Sequence, residues 1–138
     1  MNMKIVSKED APRAVPEERE YFTGRVGMTP LVSIDEKILV RVVTVSFEPR
    51  ARTHWHTHPA GQVLHVVKGT GWVQTWEEKE NGKKAKVICP EDVVYIPPDE
   101  KHWHGASPGE GMDHIAHSMG GATEWMEAVS EEDYTNAS

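Results

Sequence analysis

Between Leu31 and Ser118, short runs rich in apolar and β-branched residues are separated by Gly, Pro, Asn and Asp, a pattern of half-buried β-strands. The longest run, Ile38–Phe47 (ILVRVVTVSF), is dense in β-branched residues, whose stiff χ1 suits an extended backbone. Further strands are predicted over Val63–Val67, Gly71–Glu77, Lys84–Ile88, Val93–Ile96 and Asp113–Ser118. Asn81-Gly82 suits the positive φ of a hairpin turn between the third and fourth of these runs. Gly69-Thr70-Gly71 and Ile96-Pro97-Pro98-Asp99 mark two more reversals. Only the C-terminus predicts a helix: over Gly121–Ser130, Thr123 can cap and Trp125 and Val129 share a face at i, i+4, with a second short turn starting at Ser130. Short strands at close spacing without long amphipathic helices predict an all-β, antiparallel sandwich or barrel. The predicted division is an irregular arm over residues 1–30, a barrel over 31–120 and a tail over 121–138, all in one domain.

Composition narrows the setting. A chain of 138 residues is the size of one domain, and its 38% hydrophobic and 27% charged residues suit a globular core. With 15 Lys and Arg against 22 Asp and Glu, the net charge of −7 argues against nucleic acid or an anionic membrane as partner. No apolar run approaches a membrane span or a signal peptide, and the expected location is cytoplasmic. One cysteine, Cys89, excludes an internal disulfide framework and any multi-cysteine metal cage within the chain. Nothing near it in sequence lowers its pKa, so it is expected to be inert.

The chemistry lies in the histidines, of which six of 8 fall at His54, His56, His58, at His102, His104 and at His114. Alternate histidines on an extended strand point to one face, where two imidazoles can converge on a cation. A later strand carrying His102 and His104 can supply more ligands. If the pair is His56 and His58, Gln62 follows four residues later and its amide oxygen can complete the set with His102. If it is His54 and His56, that place holds Ala60, which cannot ligate.

The arrangement His56-x-His58-x-x-x-Gln62, six residues and Gly69 resembles the first motif of the cupin superfamily, in which Glu usually stands at the place of Gln62. Pro97-x-Asp99-x-x-His102 resembles the second. More closely, His56-Thr-His-Pro-x-Gly-Gln62, Lys101-His-Trp-His-Gly105, Met112-x-His114 and Trp125-Met126 are similar to small bacterial cupins related to cupin-type hydroxynitrile lyases, over about Tyr21 to Tyr134. Arg50, Glu91 and Asp99 occupy positions where cupins usually have glycine. Asp99 can adopt a left-handed conformation, whereas Arg50 and Glu91 lead us to expect turns without positive φ.

The resemblance implies a jelly-roll barrel, a homodimer paired through sheet edges or the N-terminal arm, and a small-molecule substrate. It implies one divalent ion held by His56, His58, Gln62 and His102. Manganese is favoured, with iron, nickel or zinc suiting the same donors. A neutral Gln62 leaves the ion its full charge, which favours Lewis-acid chemistry. His54 has no counterpart and is expected to be exposed or to support a ligand. In the lyase-like reading His114 accepts the proton of a cyanohydrin hydroxyl and the bond to the nitrile carbon breaks, while His104 reaches the cavity either to pack or to take part. Val43, Val45 and Ser118 take the pocket-lining positions. His65 and His117 are expected to face outward. The other readings are a ligand-binding or sensory cupin without turnover, or a different cupin reaction (dioxygenase, isomerase or decarboxylase).

Overall fold

The structure is a computed structural model and describes residues 3, 5–7, 13–16, 18–35 and 39–138. Among the described residues, a 3₁₀ turn, Arg19–Tyr21, leads into twelve strands and two short helices. The strands are β1 (Phe22–Thr23), β2 (Val26–Asp35), β3 (Leu39–Phe47), β4 (Arg52–Thr53), β5 (His56–Thr57) and β6 (Gln62–Gly69), followed by β7 (Gly71–Thr75), β8 (Lys86–Ile88), β9 (Val93–Ile96), β10 (His102–Ala106), β11 (Met112–Met119) and β12 (Glu124–Trp125). The helices are α1 (Trp76–Glu80) and α2 (Glu131–Asn136).

All pairings between strands are antiparallel. One sheet has the order β2-β3-β11-β6-β9. In the other, β10 pairs with β7 along its length and with the short β4 and β5, which extend to β1 and β12 respectively. Alternation assigns the faces: Val45, Phe47, Leu64, Val66, Met112 and Ala116 point between the sheets into the main core. His102 and His104 share that inward face of β10, whereas Trp103 points the opposite way. There Trp103 joins Trp55, Trp72, Val129, Tyr134 and Ala137 in a second cluster, which the C-terminal tail closes. Tyr134 Oη donates to Ala106 O at 2.7 Å, and the buried Arg52 guanidinium lies 4.3 Å over the Tyr134 ring while donating to Val129 O at 3.0 Å. The strands that carry the site are therefore packed from both sides.

The predicted strands are present with shifted ends, and the sheet begins earlier than the β signal at Leu31, since β2 starts at Val26. Ile38, at the start of the longest predicted run, lies outside the described residues, as do residues 1–2, 4, 8–12 and 17 of the predicted arm. Four expectations are corrected. The strand over Gly71–Glu77 stops at Thr75, where Thr75 and Glu78 form a reciprocal capping box that starts α1. Asn81 then caps that helix with φ −91°, and only Gly82 takes positive φ (71°), so Asn81-Gly82 is a helix end and not a hairpin turn. The helix over Gly121–Ser130 is absent: Glu124 and Trp125 pair with Thr57 and His56, and exchange between Trp55 and the backbone of Met126 and Glu127 continues the extended path. Ser130, not Thr123, is the N-cap, and the helix is α2.

The fourth correction concerns the turns. Arg50 and Glu91 do adopt positive φ, 71° and 78°, as Asp99 does at 61°. Each follows a proline, Pro49, Pro90 or Pro98, and each turn closes with a bond from the next residue's amide: Ala51 to Glu48 O, Asp92 to Cys89 O and Glu100 to Pro97 O. Proline at i+1 and positive φ at i+2 is the pattern of a type II turn, whose closing geometry overrides the side chain's reluctance.

Candidate metal centre and active site

Three histidines meet at the inward face of β5 and β10. His56 and His102 are direct cross-strand partners with ring centroids 4.2 Å apart, and His58 follows just beyond β5, 4.9 Å from His56. One nitrogen of each ring lies within 4.8 Å of the others, and all three side chains are buried. Gly61 sets Gln62 beside them: its φ is +89°, and a Cβ there would sit 2.8 Å from Ile96 O. Gln62 opens β6 and is 4% exposed.

The hydrogen bonds behind these rings fix which atoms face inward. His56 Nδ1 donates to His54 O and His102 Nδ1 to Glu100 O, both at 2.8 Å, so Nε2 of each is left as an acceptor. His58 Nδ1 lies 3.4 Å from Thr123 Oγ1. His58 Nε2, His102 Nε2 and Gln62 Oε1 are buried without a hydrogen-bond partner. Buried acceptors are ordinarily paired, and imidazole nitrogens with an amide oxygen are donors that a divalent cation takes. The donor set fits a metal, and His56, His58, His102 and Gln62 are the residues that would hold it. His54 is outside the group because a bend at Trp55 separates β4 from β5 and breaks the alternation. Its carbonyl nevertheless orients His56.

A second pair lies against this group. His114 Nε2 and His104 Nδ1 are 3.0 Å apart, one donating and the other accepting. The His104 ring is 5.3 Å from that of His56, and Phe47 packs edge-on to His104 and tilted against His114. His104 Nε2 and His114 Nδ1 are buried without partners. Burial holds all five rings neutral: it pushes His58, His102 and His114 down to about 4, and His56 and His104 well below the usual imidazole value with help from their neighbours' charge. At neutral pH each ring thus carries one N–H and one lone pair, and in the His104–His114 pair one of the two lone pairs is engaged in their hydrogen bond.

His102 stands behind His56 and His58, and those two with Gln62, His104 and His114 border a cavity of about 190 Å³. That is below the roughly 300–1,000 Å³ of pockets for drug-sized ligands and suits a small molecule. Val43, Val45 and Ser118 line it, together with His104 and His114. Sequence reasoning missed Phe22, Met28 and Thr53, which also line it, and the part played by Trp125. Trp125 lies 4.8 Å from His56, stacks on Tyr21 at 5.0 Å and donates to Glu18 Oε2 at 2.8 Å, so the N-terminal segment closes one side of the mouth. Phe22 and Met28 lie in the stretch read as an irregular arm, where two or three alternating apolar residues gave too short a signal. His65 and His117, on the opposite face from Leu64 and Ala116, are half-buried outside the cavity.

Two antiparallel sheets with a histidine-lined cavity between them are the architecture of a cupin, and the profile of the cupin family matches residues 33–113. The chain belongs to the cupin family. It is 46% identical over 118 residues to the (R)-mandelonitrile lyase of Granulicella tundricola, covering 83% of this chain and 86% of that protein. Among solved structures, a cupin-like protein from Thermotoga maritima is 45% identical with a TM-score of 0.77, over 86% of this chain and 88% of the other. A polyketide cyclase from Streptomyces resistomycificus, at 16% identity and TM-score 0.74 over 99% of each chain, shares the fold. Among the described residues, no helix is long and apolar enough to cross a membrane.

Proposed function

We propose that this cupin is a metal-dependent lyase that cleaves, or in reverse forms, a small cyanohydrin. The observation that carries the reading is the neutral His104–His114 pair set against a group of three metal-competent histidines, two of which, His56 and His58, line the same small, largely apolar cavity. The curated relative named as a mandelonitrile lyase supports the same class. A divalent ion, manganese in our reading, supplies a Lewis acid that lowers the pKa of a substrate hydroxyl and stabilises developing negative charge.

The chain's residues do the rest. Val43, Val45 and Phe22 offer an apolar wall for an aryl or alkyl group, which excludes water from the reacting carbon. His114, buried and neutral, accepts the hydroxyl proton, and His104 holds the ring through their 3.0 Å bond. As the O–H electrons form the C=O bond, the bond to the nitrile carbon breaks; the aldehyde or ketone and cyanide leave, and cyanide takes the proton to depart as HCN. The test is turnover of mandelonitrile. Metal-loaded protein releases benzaldehyde and cyanide faster than metal-stripped protein, after subtraction of the spontaneous reaction. Equal rates contradict a metal role, and inertness toward a panel of cyanohydrins removes the lyase.

We also propose a homodimer, formed through the outer face of the β2-β3-β11-β6-β9 sheet. Cross-strand register places Val42, His117, Val63 and Tyr95 in one row on that face, and Thr44, Ile115, His65 and Val93 in the next. Val93 and Tyr95 are 62% and 63% exposed, a patch that pairing would cover. Sedimentation at micromolar concentration is expected to give a dimer mass that falls to the monomer in Tyr95→Glu. A monomeric native protein contradicts the proposal.

A further inference from the structure

Gln62 is an unusual ligand for a cation because its amide has two ends of nearly equal shape, one an acceptor and the other a double donor. Only the oxygen can bind a metal. When it does, the NH₂ group points away and, in a buried site, needs an acceptor of its own. A carboxylate at this position would make no such demand.

The structure supplies that acceptor. Gln62 and Ser118 are direct partners in the β6–β11 register, with Ser118 two residues beyond Ala116 on the inward face. Gln62 Nε2 donates to Ser118 Oγ at 3.0 Å, which leaves Oε1 as the end of the amide that is buried without a hydrogen-bond partner, as His58 Nε2 and His102 Nε2 are. The other donors have their own supports: carbonyls behind His56 and His102, and Thr123 beside His58.

We infer that Ser118 is a positioning residue for the metal centre, accepting from the Gln62 amide so that its oxygen, and not its nitrogen, faces the ion. The inference rests on the metal reading above and extends it to a residue that otherwise counts only as pocket wall. Its consequence is a coupling between positions 62 and 118. Without the hydroxyl, a ligating Gln62 leaves a buried NH₂ unpaired, and the oxygen binds only against that penalty.

The experiment measures the affinity of the full chain for manganese(II) alone, by calorimetric titration or competition with a chromophoric chelator. Ser118→Ala is expected to weaken binding roughly ten-fold, the scale of one unsatisfied buried donor. Ser118→Thr, which keeps an acceptor oxygen, is expected to bind within about three-fold of the native protein. In a Gln62→Ala background, Ser118→Ala is expected to have no further effect, because the group it serves is gone. Native affinity in Ser118→Ala, or an equal loss with and without Gln62, overturns the positioning role and leaves the metal centre standing. Failure of the native protein to bind the ion with one-to-one stoichiometry overturns the metal reading and this inference together.

Discussion

Replacing His114 by alanine is expected to lower the rate of cyanohydrin cleavage by about 10²–10⁴-fold, the usual cost of losing a general base, and to leave the bound metal unchanged. The two effects separate because His114 is on β11, in the opposite sheet from His56 and His102, and its side-chain hydrogen bond is to His104 and not to a proposed ligand. Removing it takes away one side of a 3.0 Å hydrogen bond and a ring packed against Phe47, but none of the proposed donors. Measuring turnover and metal content on the same preparation checks both halves. Full activity in His114→Ala would remove the base assignment; loss of metal along with activity would show that the pair assembles the site and does not act in it.

The second large effect is on stability against acid. In the folded, metal-free protein His58, His102 and His114 are held down to about 4, and His56 and His104 well below their ordinary value. In the unfolded chain all five titrate near the reference value of ~6.5. Between those limits the unfolded state binds more protons than the folded one, so stability rises with pH across the window. It is fully present above about 6.5 and is lost as pH falls toward about 4. A shift of that size on one buried ring, such as His102, corresponds to roughly 3 kcal/mol, a large part of the whole stability of a small domain. The exposed Glu131, held below the usual carboxylate range by Arg52, begins to act only as pH falls through the ordinary carboxylate value, at the acid end of this window. The melting temperature of the metal-free protein is therefore expected to fall by roughly 10 °C or more from pH 7 to pH 5. A flat profile over that interval contradicts the burial of neutral histidines. Loading with metal should move the fall to lower pH, because the ion competes with protons for the same lone pairs.

The sequence made the metal site easier to read than the fold's details, and the reason is physical. A ligand set is written as residue types at fixed separations, and strand alternation carries those separations directly into space. His56 and His58 stand one alternation apart, and His102 is the cross-strand partner of His56. The same logic led to the inward face of β11 through Met112, His114 and Ala116. Where tertiary pairing overrides local preference the sequence misled: Trp125 and Val129 have helical spacing, yet the backbone there pairs with β5 and supports the strand that carries His56. Two misreadings had signals that were present and undervalued. Thr75-x-x-Glu78 is a capping box, and Pro49-Arg50 and Pro90-Glu91 hold a proline where a type II turn wants one. The pocket residues Phe22 and Met28 had no comparable mark, since their place depends on β1 and β2 joining different sheets.

The central claim is that His56, His58, Gln62 and His102 form one metal centre inside the barrel. Crystals of the manganese-loaded protein, with diffraction recorded for anomalous scattering, test it most directly. The account predicts a single strong anomalous peak per chain, bonded to Nε2 of the three histidines and to Gln62 Oε1, at about 2.1 Å or slightly more. A peak ligated by His54 in place of His58, or scattering only at the protein surface, would contradict it.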